Sequence, residues 1–233
     1  MRSLNLEEID DLCVGASILG GGGGGEASWG RALALHAVER GRELRLADLP
    51  ELPVDGTVFI VSAVGGGTSE ETLRSLAPSL DLEDPVKLYL EPAGAAVSGL
   101  SAFLGVAPVA LLPAEVGAGN MVLPLAGAAL LGIPLVDADA CGRAKPEISV
   151  STTRLAGLSI LPLALSTPIG DLSLLLEARD EDRAEELVRK MAVMAGGGCV
   201  VARCPAPVRA YRSASVPGTV SLAQRLGRAV RSA

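Results

Sequence analysis

The chain reads as an α/β protein: a mostly parallel sheet flanked by helices, with a more antiparallel strand pair in the C-terminal third. Three observations predict this. Apolar runs alternate with helical periodicities between residues 44 and 137, the rhythm of right-handed strand–helix–strand crossovers. Aromatics are 2% of a chain that is 49% hydrophobic, so the core must be Leu, Val, Ile and Ala, as suits parallel strands buried on both faces. After residue 150 the rhythm gives way to two short apolar runs joined by Ser166-Thr-Pro-Ile-Gly-Asp171, a turn composition.

Taken in order, Leu6, Ile9, Cys13, Ala16 and Leu19 recur at helical spacing and predict a helix over 5–19, ended by Gly20 to Gly25. A second helix should start at Ser28 as N-cap and stop at Gly41. Leu44–Leu46 and Thr57–Val64 read as strands, the second ending in Gly65-Gly66-Gly67, with Thr68-Ser69-Glu70-Glu71 capping a short helix to Leu76. Lys87–Leu90 reads as a strand, Ala93–Leu104 as a helix, Val106–Pro113 as a strand, Asn120–Leu131 as a helix and Leu135–Asp137 as a short strand. Beyond these, 157–165 and 172–178 form the strand pair, and Ser151 to Thr153 read as extended. Asp180–Met194 is an amphipathic helix, Cys199–Arg203 a strand and Val220–Val230 a final helix. With no repeat and no low-complexity linker, residues 1–233 read as one domain.

A net charge of -7 argues against a nucleic-acid partner, which needs a clustered basic surface. The longest apolar stretch, Leu123–Val136, is broken by Pro124, Gly127, Gly132 and Pro134, so no membrane span is expected. The acidic N-terminus is unlike a signal peptide, and the scattered Cys13, Cys141, Cys199 and Cys204 suit free thiols in the cytoplasm.

The unusual chemistry gathers between Glu115 and Glu147. One of the two asparagines, Asn120, follows Gly119 there, and Lys145, one of three lysines, lies beside Arg143 and Glu147. Polar groups at loops after apolar strands are what a pocket at strand ends requires. Asp137 and Asp139 alternate along an extended segment, so both can face one way and share a divalent cation or divide acid and base roles; the alternative is that one caps a turn and the other pairs with Arg143. Gly20 to Gly25 satisfies the dinucleotide fingerprint only because every position is glycine, and a helix precedes it where the fingerprint needs a strand, so no nucleotide cofactor is expected. Its backbone amides, around Gly22 and Gly23, can cradle an anion or carbonyl at the start of the Ser28 helix, or the loop is a plain helix–helix turn. The lone histidine, His36, sits within a helix and reads as structural. Cys141 lacks a neighbouring histidine to activate it.

Glu115-x-Gly-x-Gly-Asn120, Gly132-Ile-Pro-x-Val-Asp-Ala-Asp139 and Gly142-Arg-Ala-x-Pro-Glu147 resemble the S-methyl thiohydantoin desulfurase family. The glycine loop and the tail Pro217-Gly-Thr-x-Ser-Leu-Ala-x-Arg-Leu-Gly-Arg228 extend the likeness. The resemblance implies an α/β N-terminal domain acting on a five-membered cyclic imide or thioimide, with water replacing a methylthio group between two ring nitrogens. On that expectation Asp137 or Asp139 is base or metal ligand and Glu147 the acid. Glu115, Gly119, Asn120 and Arg143 bind substrate, with Gly22 and Gly23 of the glycine loop. The chain departs from the family in three ways. Longer members continue into a β-rich domain expected to be absent here, Cys141 stands where methionine is frequent, and Glu26 stands where Asp-Pro is common. A second expectation is a non-catalytic ligand-binding subunit that assembles with a hydantoinase-type partner; a homo-oligomer is expected as the other form of assembly.

Overall fold

The computed structural model describes residues 1–65 and 70–233. Gly66, Gly67, Thr68 and Ser69, which carry most of the second glycine loop and the expected cap after it, lie outside the described residues.

The N-terminal part runs β1 (Arg2–Leu4), α1 (Leu6–Gly20), α2 (Ala27–Glu39), β2 (Leu44–Ala47), β3 (Thr57–Gly65) and α3 (Glu70–Leu76). Asn5 caps α1, its side chain accepting from Glu8 N while Glu8 reaches back to the Asn5 N–H, so two of the donors that a helix start leaves open are satisfied. There follow α4 (Glu91–Leu104), β4 (Ala110–Pro113), α5 (Ala118–Leu131), β5 (Leu135–Val136) and β6 (Ala138–Asp139). α5 is buried almost throughout, as its unbroken small and aliphatic sequence requires. The remainder is α6 (Thr152–Leu155), β7 (Leu163–Ser166), β8 (Leu172–Leu175), α7 (Glu181–Met194), β9 (Gly198–Pro207), α8 (Val208–Ala214), β10 (Val216–Pro217) and α9 (Thr219–Arg231).

Among the described residues eight strands make one sheet in the order β1-β2-β5-β4-β3-β9-β7-β8. The run β2-β5-β4-β3 is parallel, whereas β3-β9, β9-β7 and β7-β8 are antiparallel. The mixed α/β class and the antiparallel pair near 157–178 thus stand as the sequence predicts, the pair as β7 and β8. One face of the sheet, with Phe59, Val61 and Leu111, packs under α1, α2, α4 and α5. The opposite face carries two smaller apolar clusters, one around Ile60, Leu112 and Tyr211, the other around Leu163, Val188 and Val201.

Two expected strands are helical instead. Lys87 lies in a wide helical turn, Val86–Leu90, that runs directly into α4. Leu90 is buried and Lys87 pairs with Glu91 at 2.5 Å, an i,i+4 contact that only a helix provides. Ser151 to Thr153 form the start of α6 because Ser151 accepts from Thr153 N as a cap. α2 begins at Ala27, so Ser28 lies inside the first turn rather than at the cap.

α9 returns to close on α1. The two backbones approach so nearly that a Cβ at Gly15 would stand 1.8 Å from Ala223 O, and one at Gly227 1.8 Å from Asp11 O. The buried carboxylate of Asp11 receives Arg231 Nε at 2.8 Å and Arg228 Nε at 3.4 Å, and these bonds hold its pKa below the ordinary aspartate range. Since backbone atoms cannot move aside, Gly227→Ala should cost about 1–3 kcal/mol in urea unfolding, without loss of secondary structure at low denaturant.

Candidate functional site

The carboxyl ends of β3 and β4 open into a cavity of about 290 Å³. Its first wall is built by the glycine loop after α1. Gly24 (φ 78°) and Gly25 (φ 84°) adopt left-handed backbone that glycine tolerates at no steric cost. Their carbonyls turn towards α5: Gly24 O accepts Asn120 N at 2.8 Å, and Gly25 O accepts Gly119 N at 3.4 Å. The loop therefore satisfies open donors in the first turn of α5. Gly24 and Gly25 line the cavity, whereas Gly22 and Gly23 are not part of the lining.

The second wall is aromatic. Trp29 of α2 sits against Gly25 and Gly119, where added Cβ atoms would fall 2.2 Å and 1.9 Å from its Cζ2. Gly119 thus makes room for an indole rather than contacting a ligand itself. Trp29 stacks on Tyr89, with centroids 4.5 Å apart and planes at 23°. Two of the five aromatic residues in the chain thereby face one cavity.

Glu115 and Asn120 join the walls to the sheet. The β3–β4 ladder ends at Val61 and Pro113. Two residues further along β3, the Asn120 side chain replaces the missing strand: its Oδ1 accepts Ala63 N at 2.9 Å and its Nδ2 donates to Ala63 O at 3.3 Å. Nδ2 also donates to Glu115 Oε1 at 2.6 Å, and Glu115 Oε2 accepts the backbone N–H of Lys145 at 2.7 Å. Both residues are buried and border the cavity. The donor–acceptor edge of Asn120, expected to read a substrate imide, is committed to Ala63.

The floor consists of two cations. Arg203 of β9 is 1% exposed; its Nη1 donates to Ser62 Oγ at 2.9 Å, while Nη2 has no partner among the described residues. An extra residue in β9 opposite β3, with Cys204 at φ 52°, makes a bulge beside Arg203. Such a bulge re-aims a side chain. Lys145 Nζ is likewise buried and unpartnered among the described residues. Burial, and then the neighbouring Arg203, bring its pKa down from 10.5 to about 8.

At the rim stand Glu147, which is exposed, and Arg189. Arg189 donates to Gly65 O at 2.8 Å and Pro146 O at 2.9 Å, tying the end of β3 to the loop that carries Lys145. Glu185 holds this clasp through Arg189 Nε at 3.0 Å and Ile148 N at 2.8 Å.

The remaining expected residues lie elsewhere. Asp137 accepts Ser221 N at 3.0 Å and the Ser221 hydroxyl, fastening the start of α9. Asp139 is fully buried and accepts Cys141 N at 2.8 Å and Gly142 N at 2.7 Å; burial raises its pKa. Neither aspartate lines the cavity, and their carboxylates serve different backbone donors rather than one cation site. Arg143 is exposed and outside the lining; Cys141 is half-buried, its thiol pushed up by burial. Among the described residues no group of three or more His, Cys, Asp or Glu is placed to hold a metal ion.

The family models for the S-Me-THD-like N-terminal domain and the S-Me-THD-like C-terminal domain match residues 7–177 and 179–233. The chain belongs to the S-Me-THD-like family. The boundary between the matched segments falls just before α7, so the first supplies Glu115, Asn120 and Lys145 to the cavity, and the second supplies Arg189 and Arg203. A crystal structure of a protein from Chromobacterium violaceum is 26% identical, with a TM-score of 0.79, over 100% of this chain and 62% of that one. The chain thus spans less than two thirds of that relative's length. No curated protein matches the sequence. Among the described residues no helix is long and apolar enough to cross a membrane.

Arg203, Trp29, Tyr89 and Arg189 are site residues that local spacing did not reveal, and Lys145 stood out only as a neighbour of the motif. The available signals were an arginine within the apolar run Cys199-Val-Val-Ala-Arg-Cys204 and the scarcity of aromatics.

Two outcomes follow from this geometry. Because the Lys145 pKa is lower in the folded chain than in the unfolded one, the unfolded chain binds the extra proton between the two values. Stability should therefore rise as pH climbs from about 8 towards about 10.4. Lys145→Met should remove that rise and stabilise the protein at neutral pH by roughly 2–3 kcal/mol in denaturant titrations. Asn120→Ala, which leaves both backbone groups of Ala63 without their side-chain partner, should destabilise by about 1–3 kcal/mol in the same assay.

Proposed function

We propose that this chain is a hydrolase acting on a five-membered cyclic thioimide of the S-methyl thiohydantoin class, replacing the methylthio group with water. The supporting observation is a cavity in an S-Me-THD-like chain that combines an aromatic wall with a buried floor of N–H donors unpartnered among the described residues. A planar ring suits the wall formed by Trp29 and Tyr89.

Water adds to the ring carbon between the two nitrogens, and the C–S bond then breaks. One water proton ends on the ring nitrogen and the other on the departing sulfur, giving a hydantoin and methanethiol. Glu147, an exposed carboxylate in the lining, serves as the base that takes a proton from water and passes it to the ring nitrogen. Lys145, with a pKa of about 8, delivers a proton to sulfur and recovers one from the adduct hydroxyl. Arg203 stabilises the negative charge that develops on the ring nitrogen; its donor is already in place and already dehydrated. Glu115 and Asn120 hold this arrangement against β3. The base role thus passes from Asp137 or Asp139 to Glu147, and the acid role from Glu147 to Lys145, because Glu147 and Lys145 border the cavity and the aspartates do not.

Incubation with S-methyl thiohydantoins should release thiol, with kcat falling about 10²–10⁴-fold in Lys145→Gln and in Glu147→Gln. The rate should decline as pH rises through about 8, where Lys145 loses its proton. Absence of thiol from the folded wild-type protein across such a panel would overturn the assignment.

A further inference from the structure

Besides the Tyr89 phenol, the lining contains five charged side chains, and the state of each is defined by its contacts. Glu115 has both carboxylate oxygens engaged, one by Asn120 Nδ2 and one by the Lys145 backbone N–H. Arg189 is paired with Glu185, and Glu147 lies at the exposed rim. What remains inside is Arg203 Nη2 and Lys145 Nζ, both dry and both without an acceptor among the described residues. A buried cationic donor left without an acceptor is costly to the fold, and a carboxylate or other oxyanion is the partner that repays both desolvation and charge. A neutral thioimide ring offers these donors only uncharged acceptors, a carbonyl oxygen and the imine ring nitrogen, which leave the buried charge unmatched.

We infer that the cavity selects ligands bearing a negative charge, with the anionic group held between Arg203 Nη2 and Lys145 Nζ while a planar ring lies along Trp29 and Tyr89. This deepens, and rests on, the reading of the cavity as a cyclic-thioimide site. Two sources of charge share this chemistry: a carboxylate on the ring substituent, or the ring itself ionised at an acidic imide nitrogen.

Calorimetric titration of the whole chain near neutral pH with ligands that contain no methylthio group separates this inference from catalysis. The first pair is hydantoin-5-acetate and its methyl ester; the second is thiazolidinedione, an acidic imide, and its N-methyl derivative. The charged member of at least one pair should bind about tenfold more tightly, and that preference should collapse in Lys145→Gln. Should Arg203→Gln fail to fold, Lys145→Gln alone decides. A preference in the first pair identifies a substituent carboxylate, and a preference in the second identifies the ring anion. Equal binding within about twofold in both pairs, or a preference that survives Lys145→Gln, would overturn the inference. Thiol release with no charge preference would leave the hydrolase reading standing and remove this one; a charge preference without thiol release would do the reverse.

Discussion

The antiparallel pairing of β3 with β9 is the contact on which the architecture depends. Without β9, β3 would be a nine-residue strand with one open edge, bounded on the other side by the parallel run through β4, β5 and β2. Unpaired strand edges of that length attract other chains. β9 covers the edge from Thr57 to Gly65 and then carries β7 and β8 on its far side. The same pairing makes the cavity, since it places Arg203 next to Ser62 and brings Gly198 beside Gly65 at the mouth. The segments matched by the two family models are thus woven through one sheet, and neither holds the cavity's charged residues alone.

That dependence explains which parts of the molecule could be read from the sequence. Helices with a clear apolar stripe and strands such as Thr57–Val64 announce themselves through local periodicity. Val86–Leu90 did not, because four apolar residues around one lysine fit a strand as well as a helical turn, and the local Lys87–Glu91 i,i+4 pair is too weak a signal to decide between them. The concentration of polar chemistry between Glu115 and Glu147 was visible, and Glu115, Asn120 and Glu147 do border the cavity. The partners of each group were not visible. Asp137 and Asp139 look alike in a one-dimensional reading, yet one fastens a helix more than eighty positions away and the other closes its own turn. Arg203 reaches the cavity through a pairing across some 140 residues, which no spacing rule records.

The cavity also shows how stability and chemistry are set against each other. Its polar groups fall into two classes. Asn120, Glu115, Glu185 and Arg189 are tied to backbone groups and hold the walls in position. Lys145 and Arg203 keep donors that find no acceptor among the described residues, in surroundings that disfavour their charge. Perturbed groups of this kind cluster where proteins bind and react. The fixed class makes the second possible, because a rigid frame keeps the donors from relaxing towards neighbouring carboxylates or towards solvent.

The bond from Ala63 to Asn120 has a consequence for dynamics. The amide hydrogen of Ala63 is held by a side chain on α5 rather than by a neighbouring strand, so its exchange with solvent requires only that the start of α5 separate from β3. Amides of the β3–β4 ladder, such as those paired through Phe59 and Leu111, are released only by larger openings. One backbone hydrogen therefore reports on the integrity of the cavity wall independently of the sheet beneath it. Anything that settles in the cavity and stiffens that wall would be recorded there as slowed deuterium uptake, whether or not it reacts.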